Sequence, residues 1–135
     1  MTTGSASTIQ RIENAAIAVA ILLMVIASAQ PWWVLLAAFL LFDLSALGYL
    51  GGPRLGAILY NAVHNYTAPA VLVAAYGAML LAGHHVVWLA LVAACWAFHV
   101  AVDRALGYGL KLDEFTHTHL GRIGRRTPPA PTSSS

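Results

Sequence analysis

Charge is the scarcest resource in this chain. Of 135 residues only 9% are Asp, Glu, Lys or Arg, where a soluble domain carries roughly a quarter. Between Glu13 and Asp103 there are two charged side chains, Asp43 and Arg54. A water-soluble globule is excluded by that interval alone. Cysteine is nearly absent too: the single Cys95 rules out an internal disulfide and any thiolate zinc site. No Gly-rich phosphate loop and no G-x-S-x-G elbow occurs, so nucleotide binding and serine hydrolysis lack their usual signatures. The formal net charge of +2 does not point to nucleic acid, because Arg122, Arg125 and Arg126 cluster after the last apolar stretch. Positive charge there reports membrane orientation.

What is present is hydrophobic length. With 59% apolar residues and a mean hydropathy of +0.72, the chain reads as an all-α integral membrane protein. A span needs about 20 mainly apolar residues at about 1.5 Å each. Four segments suit this, at 14–29, 31–50, 55–82 and 86–108, the first being short unless the preceding turn joins it. Strands are disfavoured, since an open sheet edge cannot sit in lipid. Gln30-Pro31, Gly51-Gly52-Pro53 and Gly83-His84-His85 mark the connections, and Pro69 is expected to kink the third segment. The predicted organisation is a polar segment 1–12, a four-span bundle 13–110, a His- and acid-containing basic segment 111–126 and a disordered tail 127–135. Arg11, Arg54, Arg104, Lys111, Arg122, Arg125 and Arg126 all fall at one set of span ends. The expectation is therefore a four-helix bundle in a bacterial inner membrane, with both termini cytoplasmic. A competing reading treats Ala27-Ser28-Ala29 as a signal-peptidase site, against which Glu13 offsets the positive charge of Arg11.

The residues that lipid should reject carry the functional information. A charge at mid-membrane costs about 2.5–3.5 kcal/mol on insertion scales, so such a group faces a partner or a cavity. Asp43 lies on the second segment, Asn61, His64 and Asn65 on the third, and His99 and Asp103 on the fourth. Counted from the cytoplasmic ends, Asp43, His64, His99 and Asp103 share a depth of roughly 9–15 Å. Spacings of three and four residues put Asn61, His64 and Asn65 on one helix face, and His99 and Asp103 on another.

Imidazoles and carboxylates converging in a bundle suit zinc, iron or manganese. Asp43, His64, His99 and Asp103 are thus the candidate metal ligands, with Asn61 and Asn65 orienting them. Glu114, His117 and His119 are candidate further ligands, Glu114-x-x-His117 having the spacing used in carboxylate-rich bundles. Blander alternatives stand beside these. Asp103 next to Arg104 can form an interfacial ion pair, and the His/Asn set can be an interhelical packing cluster.

Phe42-Asp43-Leu44-Ser45, Gly48-Tyr49, Tyr60-Asn61-Ala62-Val63-His64-Asn65-Tyr66, Asp103 to Lys111 and Phe115 to Gly121 together resemble a family of small bacterial membrane proteins catalogued as a domain of unknown function. The resemblance spans roughly residues 12 to 122. It implies a polytopic helical membrane protein and no particular activity or cofactor.

The functional expectation is a membrane metalloprotein, with an enzyme acting on a lipid-soluble or interfacial small molecule as one form of it. The alternatives are a haem carrier using His64 and His99 as axial ligands, a proton-coupled transporter or channel assembled as a homo-oligomer, and a structural or partner-binding membrane protein. The expected partner in every case is the lipid bilayer, with no nucleic acid.

Overall fold

The computed structural model describes residues 3–111 and the backbone of residues 117–118 and 121–122. Helix α1 (Thr3–Ala27) is followed by α2 (Trp33–Asp43), a 3-10 segment (Leu44–Gly51), α3 (Pro53–Val63), α4 (Thr67–Leu81) and α5 (Val87–Leu106). Beyond them β1 (His117–Thr118) pairs antiparallel with β2 (Gly121–Arg122).

Among the described residues three stretches are long and apolar enough to cross a membrane: Ser5–Ala27, Trp33–Gly51 and Val87–Leu106. The first begins well before residue 14, because the polar turn at its start joins the helix. Two of its polar residues find backbone acceptors within the fold. Asn14 donates to the Gln10 carbonyl at 2.7 Å, and Arg11 Nε donates to the Ala105 carbonyl at 2.9 Å. Arg11 and the end of α5 therefore lie at the same end of the molecule.

Helix α5 is central, packing against α1, α2 and α4. The buried apolar core joins Ala18 and Val25 of α1, Leu35 of α2, and Cys95, Phe98 and Ala101 of α5. Fully buried alanine at 101 lets neighbouring backbones approach closely, the usual basis of helix contact in lipid. Most large apolar side chains on the outer faces, Leu40, Leu50 and Leu81 among them, are exposed, as a bilayer solvent permits.

The third segment departs from the expected single span. It is broken at His64-Asn65-Tyr66 into α3, of 11 residues, and α4, of 15. These are about 16 and 22 Å long, each shorter than the ~30 Å hydrocarbon core. Pro69 does not kink a continuous helix; it is the third residue of a new one. The reason is local. Pro69 has no N–H for the Asn65 carbonyl and its ring would crowd that group, whereas neither problem arises in a first turn.

Helix α3 packs instead on the 3-10 segment. Gly52, at φ 117°, makes the reversal between them, and Pro53 starts α3. Gly56 lies directly against the Tyr49 ring, where a Cβ would overlap it.

Candidate metal centre

The break in the third segment is also where its backbone accounts are settled by side chains. A helix end leaves its last four carbonyls without partners inside the helix. In α3 each of the last four is satisfied. The Tyr60 carbonyl accepts from the backbone N–H of His64 at 2.8 Å and from its Nδ1 at 2.9 Å. Asn65 Nδ2 donates to the Asn61 and Ala62 carbonyls at 2.7 and 2.9 Å. Trp96 Nε1, from α5, donates to the Val63 carbonyl at 2.6 Å. Asn65 Oδ1 then accepts from the Thr67 N–H at 2.8 Å and starts α4.

This joint fixes His64. A carbonyl only accepts, so the Nδ1 of neutral His64 carries the proton and the Nε2 lone pair is left free. That Nε2 faces three groups from two other elements. His99 Nε2 is 2.9 Å away, Asp103 Oδ2 3.4 Å and Asp43 Oδ1 3.6 Å. His99 Nε2 is in turn 3.6 Å from Asp43 Oδ1 and 3.8 Å from Asp103 Oδ2. One donor atom from each of the four residues falls within a sphere of contacts no wider than 4.8 Å. Bonds of about 2.0–2.2 Å to a tetrahedral ion set the ligand atoms about 3.3–3.6 Å apart; the imidazole–carboxylate separations of 3.4 and 3.6 Å match this, and the 2.9 Å between the imidazoles is shorter, so the two rings would separate slightly around an ion. This His/Asp group is positioned to bind a metal.

The surroundings hold the rings in place. Tyr60 lies parallel on His64, and its hydroxyl donates to Asp103 Oδ2 at 3.0 Å. Phe39 and Phe42 of α2 pack on His99, with ring centroids 4.4 and 5.3 Å away. Ser45 Oγ reaches His64 Nδ1 at 3.5 Å. After α5, Gly107 at φ 99° turns the chain back, and the Asn61 amide clasps Lys111 on both sides. Asn61 Nδ2 donates to the Lys111 carbonyl at 2.7 Å, and its Oδ1 accepts from the Lys111 N–H at 2.6 Å. Lys111 is thereby buried, its Nζ lying 5.0 Å from the Tyr60 ring centroid. Burial pulls its ammonium below the ordinary lysine range, and the nearby Asp103 carboxylate opposes that shift.

The four residues predicted to converge, Asp43, His64, His99 and Asp103, do so. Asn61 and Asn65 bond backbone groups around the cluster, not its imidazoles or carboxylates. Arg104 does not take Asp103 as an ion-pair partner; it lies over the Tyr66 ring at 4.9 Å while Asp103 turns inward. Glu114 and His119 lie outside the described residues, and of His117 only the backbone is described. A haem between His64 and His99 does not fit, because Nε2 atoms 2.9 Å apart leave no room for a macrocycle. Sequence reasoning passed over Tyr60, Trp96 and Lys111. Tyr60 precedes His64 by four residues, which places it on the same helix face.

A family model described as Domain of unknown function (DUF4260) matches residues 7–123. The chain belongs to this family. The matched stretch contains all four converging residues, Lys111 and the β1–β2 pair. No curated protein and no solved structure matches the chain.

Proposed function

We propose that this DUF4260 protein is an integral membrane metalloprotein that holds one divalent ion, zinc, iron or manganese, between Asp43, His64, His99 and Asp103. The observation that carries the reading is the convergence of two imidazole nitrogens and two carboxylates, with the His64 proton engaged elsewhere by the Tyr60 carbonyl. Two nitrogen lone pairs at 2.9 Å repel unless a cation or a shared proton lies between them. An ion there supplies Lewis acidity or, for iron and manganese, redox chemistry. Tyr60, Phe39 and Phe42 orient the ligands, and Lys111 offsets part of the carboxylate charge. An enzyme acting on a lipid-soluble or interfacial small molecule is the form of this reading that a polar centre within apolar helices favours.

The α3–α4 pair serves as the jointed fourth crossing of a bundle in a bacterial inner membrane. Arg11, Arg104 and Lys111 gather at the end that carries the cluster, which supports cytoplasmic termini. Glu114, His117 and His119 follow Lys111 in sequence and remain candidate further ligands.

Metal content and visible absorption of the detergent-purified protein test the proposal, alongside His64→Ala and His99→Ala. A near-stoichiometric ion lost in both folded variants supports it. Protein that takes up no ion under metal-replete conditions overturns it. The second reading, a packing device, draws on the direct 2.9 Å contact between the imidazoles, which one N–H···N hydrogen bond also accounts for. Under it both variants lose stability and no ion.

A further inference from the structure

The four converging residues are unequally covered. The side chains of His99, His64 and Asp103 are 0%, 3% and 11% exposed, whereas that of Asp43 is 45% exposed. Asp43 is also the member with the loosest support. His64 is tied to the Tyr60 carbonyl, Asp103 to the Tyr60 hydroxyl and His99 is packed by two phenylalanines. Asp43 reaches the two imidazoles themselves, each at 3.6 Å.

Asp43 sits within the apolar stretch Trp33–Gly51. Leu40 and Leu36, one and two turns before it on the same helix face, are exposed, as are Leu44 and Leu47 just after it. A half-exposed carboxylate on such a surface is costly in lipid unless something polar meets it there. A membrane-dissolved molecule with a polar end can meet it along that leucine stripe.

We propose that Asp43 is the exchangeable ligand of the cluster, and that its outer edge is a lateral opening for the oxygen-bearing head of a single-chain amphiphile lying in the bilayer. The chain of such a molecule lies along Leu36, Leu40 and Leu47, and its oxygen donor shares or takes the position of the Asp43 carboxylate. The proposal rests on the metal reading above. It makes three of the residues a fixed tripod and the fourth a door.

Cobalt(II) substitution gives a readout independent of any activity, since the visible bands of the ion report its ligands. The detergent-solubilised full chain is loaded with cobalt and titrated with acetohydroxamate and with dodecanohydroxamate. Asp43→Ala is expected to keep its cobalt, at an affinity lowered about tenfold or less, with bands shifted by either hydroxamate. His99→Ala is expected to lose the ion. Leu40→Trp, a bulky change at an exposed site, is expected to weaken the dodecanohydroxamate response about tenfold and leave the acetohydroxamate response unchanged. Comparing each probe with itself across variants removes its partition into micelles. Loss of cobalt from Asp43→Ala as complete as from His99→Ala overturns the exchangeable-ligand proposal. An unchanged dodecanohydroxamate response in Leu40→Trp overturns the lateral opening. Failure of the unmodified protein to bind cobalt overturns the metal reading itself, and this inference with it.

Discussion

Tyr60 and His64 lie face to face, with ring centroids 3.6 Å apart and planes 7° from parallel, one helical turn apart on α3. The same tyrosine hydroxyl donates to Asp103 Oδ2, the oxygen that faces His64. One side chain thus orients two members of the cluster from two helices. Tyr60→Phe keeps the stacking and removes the hydrogen bond. The expected result is a folded protein whose zinc affinity is about tenfold to a hundredfold weaker, the range for groups that orient metal ligands. Competition with a chromophoric chelator measures it. An unchanged affinity would show that Asp103 needs no second anchor.

Asn65 makes three hydrogen bonds across the break, to the Asn61 and Ala62 carbonyls and from the Thr67 N–H. Asn65→Ala is expected to destabilise the fold by about 2–4 kcal/mol, at roughly 0.5–1.5 kcal/mol per bond. Asn65→Asp, which keeps an acceptor for Thr67, is expected to recover part of that loss. Thermal unfolding in detergent, followed by helical circular dichroism, compares the two.

At Gly56 the constraint is steric. An added methyl meets the Tyr49 ring, so the 3-10 segment has to move off α3. Gly56→Ala is expected to cost about 1–3 kcal/mol, as overpacking does. The shift also displaces Asp43, which immediately precedes the 3-10 segment, so cobalt band positions should change along with the melting temperature. Pro69→Ala, by contrast, is expected to stay within about 0.5 kcal/mol, because the site lies in a first turn.

Binding of an ion to the folded state alone raises stability by mass action. Zinc at a hundredfold excess over its dissociation constant is expected to add about 2.7 kcal/mol, reversed by a chelator. His64→Ala and His99→Ala should show no such increment. A zinc-induced rise that survives in both variants would locate the ion elsewhere.

The convergence of these four residues was legible in the sequence because helical rise converts residue counts into distance. Asp43, His64, His99 and Asp103 lie on three segments at matching counts from one set of ends, and their meeting follows from simple addition. The break at His64-Asn65-Tyr66 was not legible from hydropathy, since 55–82 is apolar enough to read as one run. Its signals were chemical: an Asn able to cap both ways, followed four residues later by a proline. The dual role of Asn61, clasping a residue 50 positions away, depends on where α5 ends and has no local signature. Tyr60 was hidden for a related reason. An aromatic beside a polar cluster in a membrane helix is first of all an interfacial or packing group, and its orienting role emerges when Asp103 is seen to face it.

The capping of the Val63 carbonyl by Trp96 bears on how the protein is made. That indole, together with His99 and Asp103, arrives on α5, the last helix in chain order among the described residues. Until then the end of α3 carries an unmet carbonyl and His64 has no imidazole opposite it. The jointed pair is therefore completed by a helix synthesised later. Biogenesis of this site is a closing event: the seam in the third segment and the cluster beside it are completed together, by the same helix, in one step.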